Sequence, residues 1–96
     1  MTTFFMFGKY SPESLKKISA ERTRRAIDVI QAHGGRVKSC YVLLGDKDLV
    51  FIVSLPSAAQ APMISIQLTK VTGISFTTSV AIPADEFDQQ FNKKKS

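Results

Sequence analysis

The chain has 96 residues, 44% of them hydrophobic, with a formal net charge of +5, one cysteine and one histidine. That length suits a single small domain, and no apolar run approaches the roughly 18 residues that a membrane helix needs. The lone Cys40 excludes an internal disulfide and a cysteine-rich zinc site, and the lone His33 excludes a His-pair metal site.

Four apolar residues, Phe4, Phe5, Met6 and Phe7, closed by Gly8, predict a first strand. "SPES" then supplies Ser11 as a helix N-cap, Pro12 at the first helical position and Glu13 against the positive end of the helix dipole. Leu15 and Ile18 are expected to open a buried stripe that resumes at Ala26, Val29, Ile30 and His33. Ser19 and Ala20 offer a point where this helix can split, and Gly34-Gly35 ends it. Residues 36–44 alternate as a second strand, with Val37, Ser39, Tyr41 and Leu43 expected on one face and Lys38, Cys40, Val42 and Leu44 on the other. Residues 45–48, Gly-Asp-Lys-Asp, have the chemistry of a turn, so residues 49–55 should complete an antiparallel hairpin. A second long helix is expected from near Ala61, since Pro62 is tolerated only in a first turn, to about Thr72, with Gly73 as its stop. Residues 74–83 alternate apolar residues with Ser75, Thr77, Ser79 and Ala81, a fourth strand. A short helix with Phe87 and Phe91 four residues apart follows, and residues 93–96 read as a basic disordered tail beyond a single domain at residues 1–92.

The order β-α-β-β-α-β plus a terminal helix is the α+β ferredoxin-like arrangement, with a four-stranded antiparallel sheet and both main helices on one face. Residues 49–53, apolar at every position, and the first strand look like strands covered on both sides, yet the chain has no second layer to spare. A second copy whose sheet packs against this one is the expected cover, giving a homodimeric α/β barrel.

The segments "GKYSPESLKKISAERTRRAIDVIQAHGGRVKSCYVLLG" and "TGISFTTSVAIPADEF" resemble those of the GYD-domain family, small bacterial and archaeal proteins with a dimeric α/β-barrel form of this fold. The family's Gly-x-Tyr-Asp signature stands here as Gly45-Asp46-Lys47-Asp48, so Gly45 and Asp48 match and Lys47 replaces the tyrosine. The resemblance implies a fold and a dimer, and no agreed biochemical activity or cofactor.

Asp46 and Asp48 are too few oxygens for a calcium loop, which makes them turn residues, with Asp48 also able to accept from backbone amides at a barrel mouth. No metal site and no cofactor is expected. Ser75, Thr77 and Ser79, with Tyr41, Ser39 and the inward members of residues 4–7, could line a small-molecule pocket between paired sheets, or simply satisfy one another across an interface. Lys9 and Tyr10 are candidate rim residues for an anionic ligand, or solvated loop. Cys40 reads as a buried packing thiol, unless Lys38 beside it lowers its pKa. His33 suits a helix C-terminus.

Lys16, Lys17, Arg22, Arg24 and Arg25 scatter around a helix with Glu21 and Asp28 among them and no stacking aromatics, which reads as a solvated face rather than a nucleic-acid surface. Lys93, Lys94 and Lys95 carry much of the remaining charge excess. The N-terminal residues contain no basic segment followed by a long apolar run, so a cytoplasmic protein without a membrane partner is expected, and the family resemblance implies a bacterial one. The functional expectation is a small-molecule- or protein-binding homodimer without assignable catalysis. The alternative, by analogy of fold, is a cofactor-independent monooxygenase-like or haem-related enzyme acting on an apolar or aromatic substrate.

Overall fold

The computed structural model describes the backbone of residues 1–95; the side chains of residues 93–95 and all of Ser96, where the basic tail is expected, lie outside the described residues. The strands are β1 (Thr2–Lys9), β2 (Arg36–Val42), β3 (Leu49–Leu55) and β4 (Ser75–Ala81). The α-helices are α1 (Pro12–Lys16), α2 (Ala20–Ala32), α3 (Ala61–Thr72) and α4 (Ala84–Lys95), and a 3-10 turn at Ala58–Gln60 leads into α3. The four strands form one sheet in the order β2-β3-β1-β4, antiparallel at every pairing, which is the ferredoxin-like fold. β1 extends further at both ends than the apolar run alone predicts, while β2 stops two residues short of Leu44 and β4 lies within residues 74–83.

Register, more than hydrophobicity, decides which side chains share a face. Phe4, Met6 and Gly8 pair with Val53, Phe51 and Leu49, and all turn toward the helices; Phe5 and Phe7 pair with Ile52 and Val50 and turn the other way. In β2 the simple alternation fails. Val37 opposes Val53 but Ser39 opposes Ile52, neighbours on opposite faces, so Lys38 is the extra residue of a bulge. Val37 therefore joins the helix side while Ser39 and Tyr41 join Phe5 and Phe7, instead of all three sharing a face.

The helix layer is set by its caps. Ser11 and Ser14 form a reciprocal capping box at α1, and the Ser19 hydroxyl accepts from the Arg22 amide at 3.0 Å to start α2. The chain thus unwinds between Lys16 and Ala20, and the buried stripe expected through Leu15 and Ile18 is not continuous: these residues are 53% and 61% exposed. Ser14 and Arg22 are buried in their place. Pro62 sits in the first turn of α3, where its missing N–H is harmless, and Gly73 ends that helix at φ +74°.

Ile30 of α2 and Ile64 and Leu68 of α3 close over Phe4, Met6, Phe51, Val53 and Leu55. This core is tight at Gly8, where a Cβ would lie 2.5 Å from Leu49 Cδ2 and 3.0 Å from Ile74 Cγ2. Beyond the sheet, α4 carries Phe87 and Phe91 as a ring pair 6.4 Å apart, each more than half exposed. The molecule measures 54 × 30 × 18 Å, and its radius of gyration is 15.0 Å. A compact chain of this length would have about 12–13 Å.

Candidate functional site

The residues singled out in the sequence fall into two places. The first is the end of the sheet where β1 leaves and the β2–β3 loop returns. Asp48 is its hub: its carboxylate Oδ2 accepts from the Tyr10 amide at 2.7 Å, its amide donates to the Gly8 carbonyl at 2.9 Å, and its carbonyl accepts from the Leu43 amide at 2.8 Å. Lys9 Nζ donates to the Asp46 carbonyl at 2.9 Å. Gly45 adopts φ +146°, a region that L side chains rarely enter, so this loop needs glycine there. The charged triplet is a joint that ties the loop to β1, and the Asp48 carboxylate is occupied by a backbone amide 38 residues earlier in the chain.

Tyr10 leaves this joint toward the helices. Its ring packs against the core, and the Arg22 guanidinium carbon lies 5.5 Å from the ring centroid. It is therefore not a companion of Lys9 on the open side of the sheet.

The second place is the sheet face opposite the helices. The register lays three rows across it. In strand order they run Tyr41-Val50-Phe7-Thr77, then Ser39-Ile52-Phe5-Ser79, then Arg36-Ser54-Thr3-Ala81. Lys9 pairs with Ser75 at one end, and Lys38 Nζ donates to the Thr3 hydroxyl at 3.1 Å near the other. The middle of the face is apolar, with the Phe5 and Phe7 rings 6.1 Å apart, and both outer strands present hydroxyls. Tyr41, Ser75, Thr77 and Ser79 are all exposed, and Phe5, Phe7 and Ile52 are only partly buried. The structure thus brings Tyr41, Thr77 and Ser79 together with Phe5 and Phe7, and sets Tyr10 and Asp48 apart from them. Sequence alone names residues 4–7 as a group; the pairing register separates Phe5 and Phe7 from Phe4 and Met6.

Two other expectations change, for Cys40 and for the basic cluster, while His33 stands at the helix end where it is expected. Cys40 is exposed on the helix side of the edge strand β2, not buried in packing. Partial burial of the thiol pushes its pKa above the ordinary value, the opposite of activation by Lys38, whose ammonium reaches the other face. Arg22 is 6% exposed, so the basic cluster is not a uniformly solvated face. His33 caps α2, its Nδ1 donating to the Val29 carbonyl at 2.9 Å. Among the described residues, no three His, Cys, Asp or Glu side chains gather as a metal site, and no helix is long and apolar enough to cross a membrane.

Solved structures share this architecture. The leucine response regulatory protein LrpA of Mycobacterium tuberculosis superposes with a TM-score of 0.61 at 14% identity, over 86% of this chain and 51% of that one. An AsnC family transcriptional regulator from Agrobacterium tumefaciens gives 0.57 at 20% identity, over 84% and 50%. TTHA0845 from Thermus thermophilus gives 0.56 at 21% identity and matches at nearly full length, over 88% and 96%. The chain spans about half the length of the two regulators, and at these identities the likeness is one of fold. No curated protein matches the sequence significantly. The GYD domain profile matches residues 4–90, nearly the whole chain and both ends of the sheet described above, and the protein belongs to the GYD-domain family.

Proposed function

We propose that the protein is a small-molecule-binding homodimer in which two open sheet faces pack together and enclose the ligand. The observation that carries this reading is the face opposite the helix-covered core, where Phe5, Phe7 and Ile52 stay only partly buried around Val50, itself 5% exposed. A second copy brings the same four residues, and apolar area of this kind removed from water stabilises association by about 25 cal/mol per Å² before the costs of binding. The hydroxyls of Tyr41, Thr77 and Ser79 flank that centre on both outer strands, so a cavity between two such faces would have apolar walls and a few polar anchors. The half-length match to two regulators supports a binding role over catalysis, since in both the shared portion is part of a protein that responds or regulates by name.

Native mass spectrometry of freshly purified, untagged protein tests assembly and ligand together. The expected spectrum is a dimer carrying extra mass that is lost on collisional activation. A monomer at all concentrations overturns the reading, and an apo-dimer that takes up no compound from an apolar and aromatic library removes its ligand half.

A further inference from the structure

The helix side of the molecule contains a feature that the sheet-face reading does not use and that is independent of it. A cleft of about 380 Å³ opens where α1 and the start of α2 meet the end of α3. Four cationic residues line it, Lys17, Arg22, Arg25 and Lys70, against a single acid, Glu13. The break between α1 and α2 produces this convergence: the loop after Lys16 turns Arg22 inward, and α2 and α3 pack side by side so that Lys70 comes to the same opening.

Arg22 is the decisive residue. Its side chain is 6% exposed, and its Nη1 donates to the Ser14 carbonyl at 2.5 Å while its guanidinium lies near the Tyr10 ring. No carboxylate among the described residues pairs with it or with the three other cations. Burying a guanidinium without a counter-charge is costly, and a guanidinium has five N–H donors, of which the protein engages one nitrogen. Lys17 and Lys70 stand at helix C-termini, where a cation is favoured by the dipole alone, but Arg22 lies in the first turn of α2, where the dipole opposes it. Within the chain only the Ser14 carbonyl and the Tyr10 ring offset that cation among the described residues, and neither carries a negative charge.

We propose that this cleft binds the phosphate group of a small, multiply charged organic phosphate, with Arg22 as the buried anchor and Lys17, Arg25 and Lys70 closing around the anion. The planar fork of arginine matches phosphate oxygens in pairs, and ammonium groups add charge from other directions, which a tetrahedral oxyanion accepts better than a lone carboxylate. The cleft volume lies within the range of about 300–1,000 Å³ of small-molecule sites, and a concave opening of this size suits a compact ligand over an extended polyanion.

The test uses the full chain, pyrophosphate as the probe, constant ionic strength and two-dimensional amide NMR. The expected result is saturable shifts confined to residues 11–25 and 70–74, with the double variant Arg25→Gln/Lys70→Gln binding at least about tenfold more weakly. The variant Lys16→Gln/Arg24→Gln removes the same charge outside the cleft and should bind as the parent does. Arg22→Lys, which retains the charge but loses the fork, should weaken binding as well; if it does not fold, the Arg25/Lys70 pair still decides. Equal loss in both double variants, shifts scattered over surface lysines, no saturation, or binding to single-stranded nucleic acid but not to pyrophosphate would each overturn the proposal.

Discussion

The two faces of the sheet are built from the same two central strands and nearly the same alphabet, yet they are in different physical states. On the helix side Met6 and Val53 are fully buried and Phe4 and Phe51 nearly so. On the other side Phe5, Phe7 and Ile52, each one residue away in sequence, keep part of their surface in water. The difference is one of supply. Of the three long helices, α2 and α3 pack on one face while α4 stands beyond the sheet, so a run of apolar residues in β1 and β3 reports that both faces want cover without saying what covers the second.

Substitutions on either face, and at the joint between them, sharpen that contrast. Met6→Ala should have the largest effect, because it leaves a cavity under both helices: about 2–5 kcal/mol of stability lost by denaturant unfolding, the same at every protein concentration. Asp48→Ala removes the acceptor of the Tyr10 amide at the loop joint and should cost about 1–3 kcal/mol, with self-association unchanged because the joint lies at the sheet's end. Unchanged melting would remove Asp48 from its anchoring role. Thr78→Val acts in the opposite direction. The Thr78 hydroxyl is buried on the helix side without a hydrogen-bond partner, so replacing it with a methyl should raise stability by up to about 1 kcal/mol in the same assay. The smallest effect is kinetic. With its pKa raised by partial burial, Cys40 holds less thiolate near neutral pH than a free thiol, so alkylation should be slower than for a model thiol despite its exposure, and should continue to accelerate as the pH rises.

Much of this architecture is legible in the sequence, for reasons tied to particular residues. Ser11-Pro12, Gly34-Gly35 and Gly73 punctuate the helices through local backbone chemistry, so the element order follows from the chain itself. Gly45 and Asp48 mark the turn for the same reason. What escapes is whatever depends on pairing or direction. The bulge at Lys38 leaves the alternating pattern of residues 36–44 intact on paper while moving Ser39 to the face opposite Val37. The split at Ser19 is visible as a weak point in the helix, but its consequence is not: Leu15 and Ile18 face water while Arg22 turns inward over Tyr10. The partner of Asp48 is an amide 38 residues away, which no local signal announces. In the candidate site, Tyr41, Thr77 and Ser79 are recognisable as hydroxyls on alternating strands. Their placement in cross-strand rows with Phe7 and Phe5 requires the register.

Sedimentation equilibrium of the parent chain and of Phe7→Glu, over a wide range of protein concentration, most directly tests whether the open face is where two copies meet. A charge at the centre of that face should abolish association while far-ultraviolet circular dichroism shows the fold intact, since Phe7 lies outside the helix-covered core. The account predicts a dimeric parent and a folded, monomeric variant. A parent that stays monomeric, or a variant that dimerises as tightly as the parent, would contradict it.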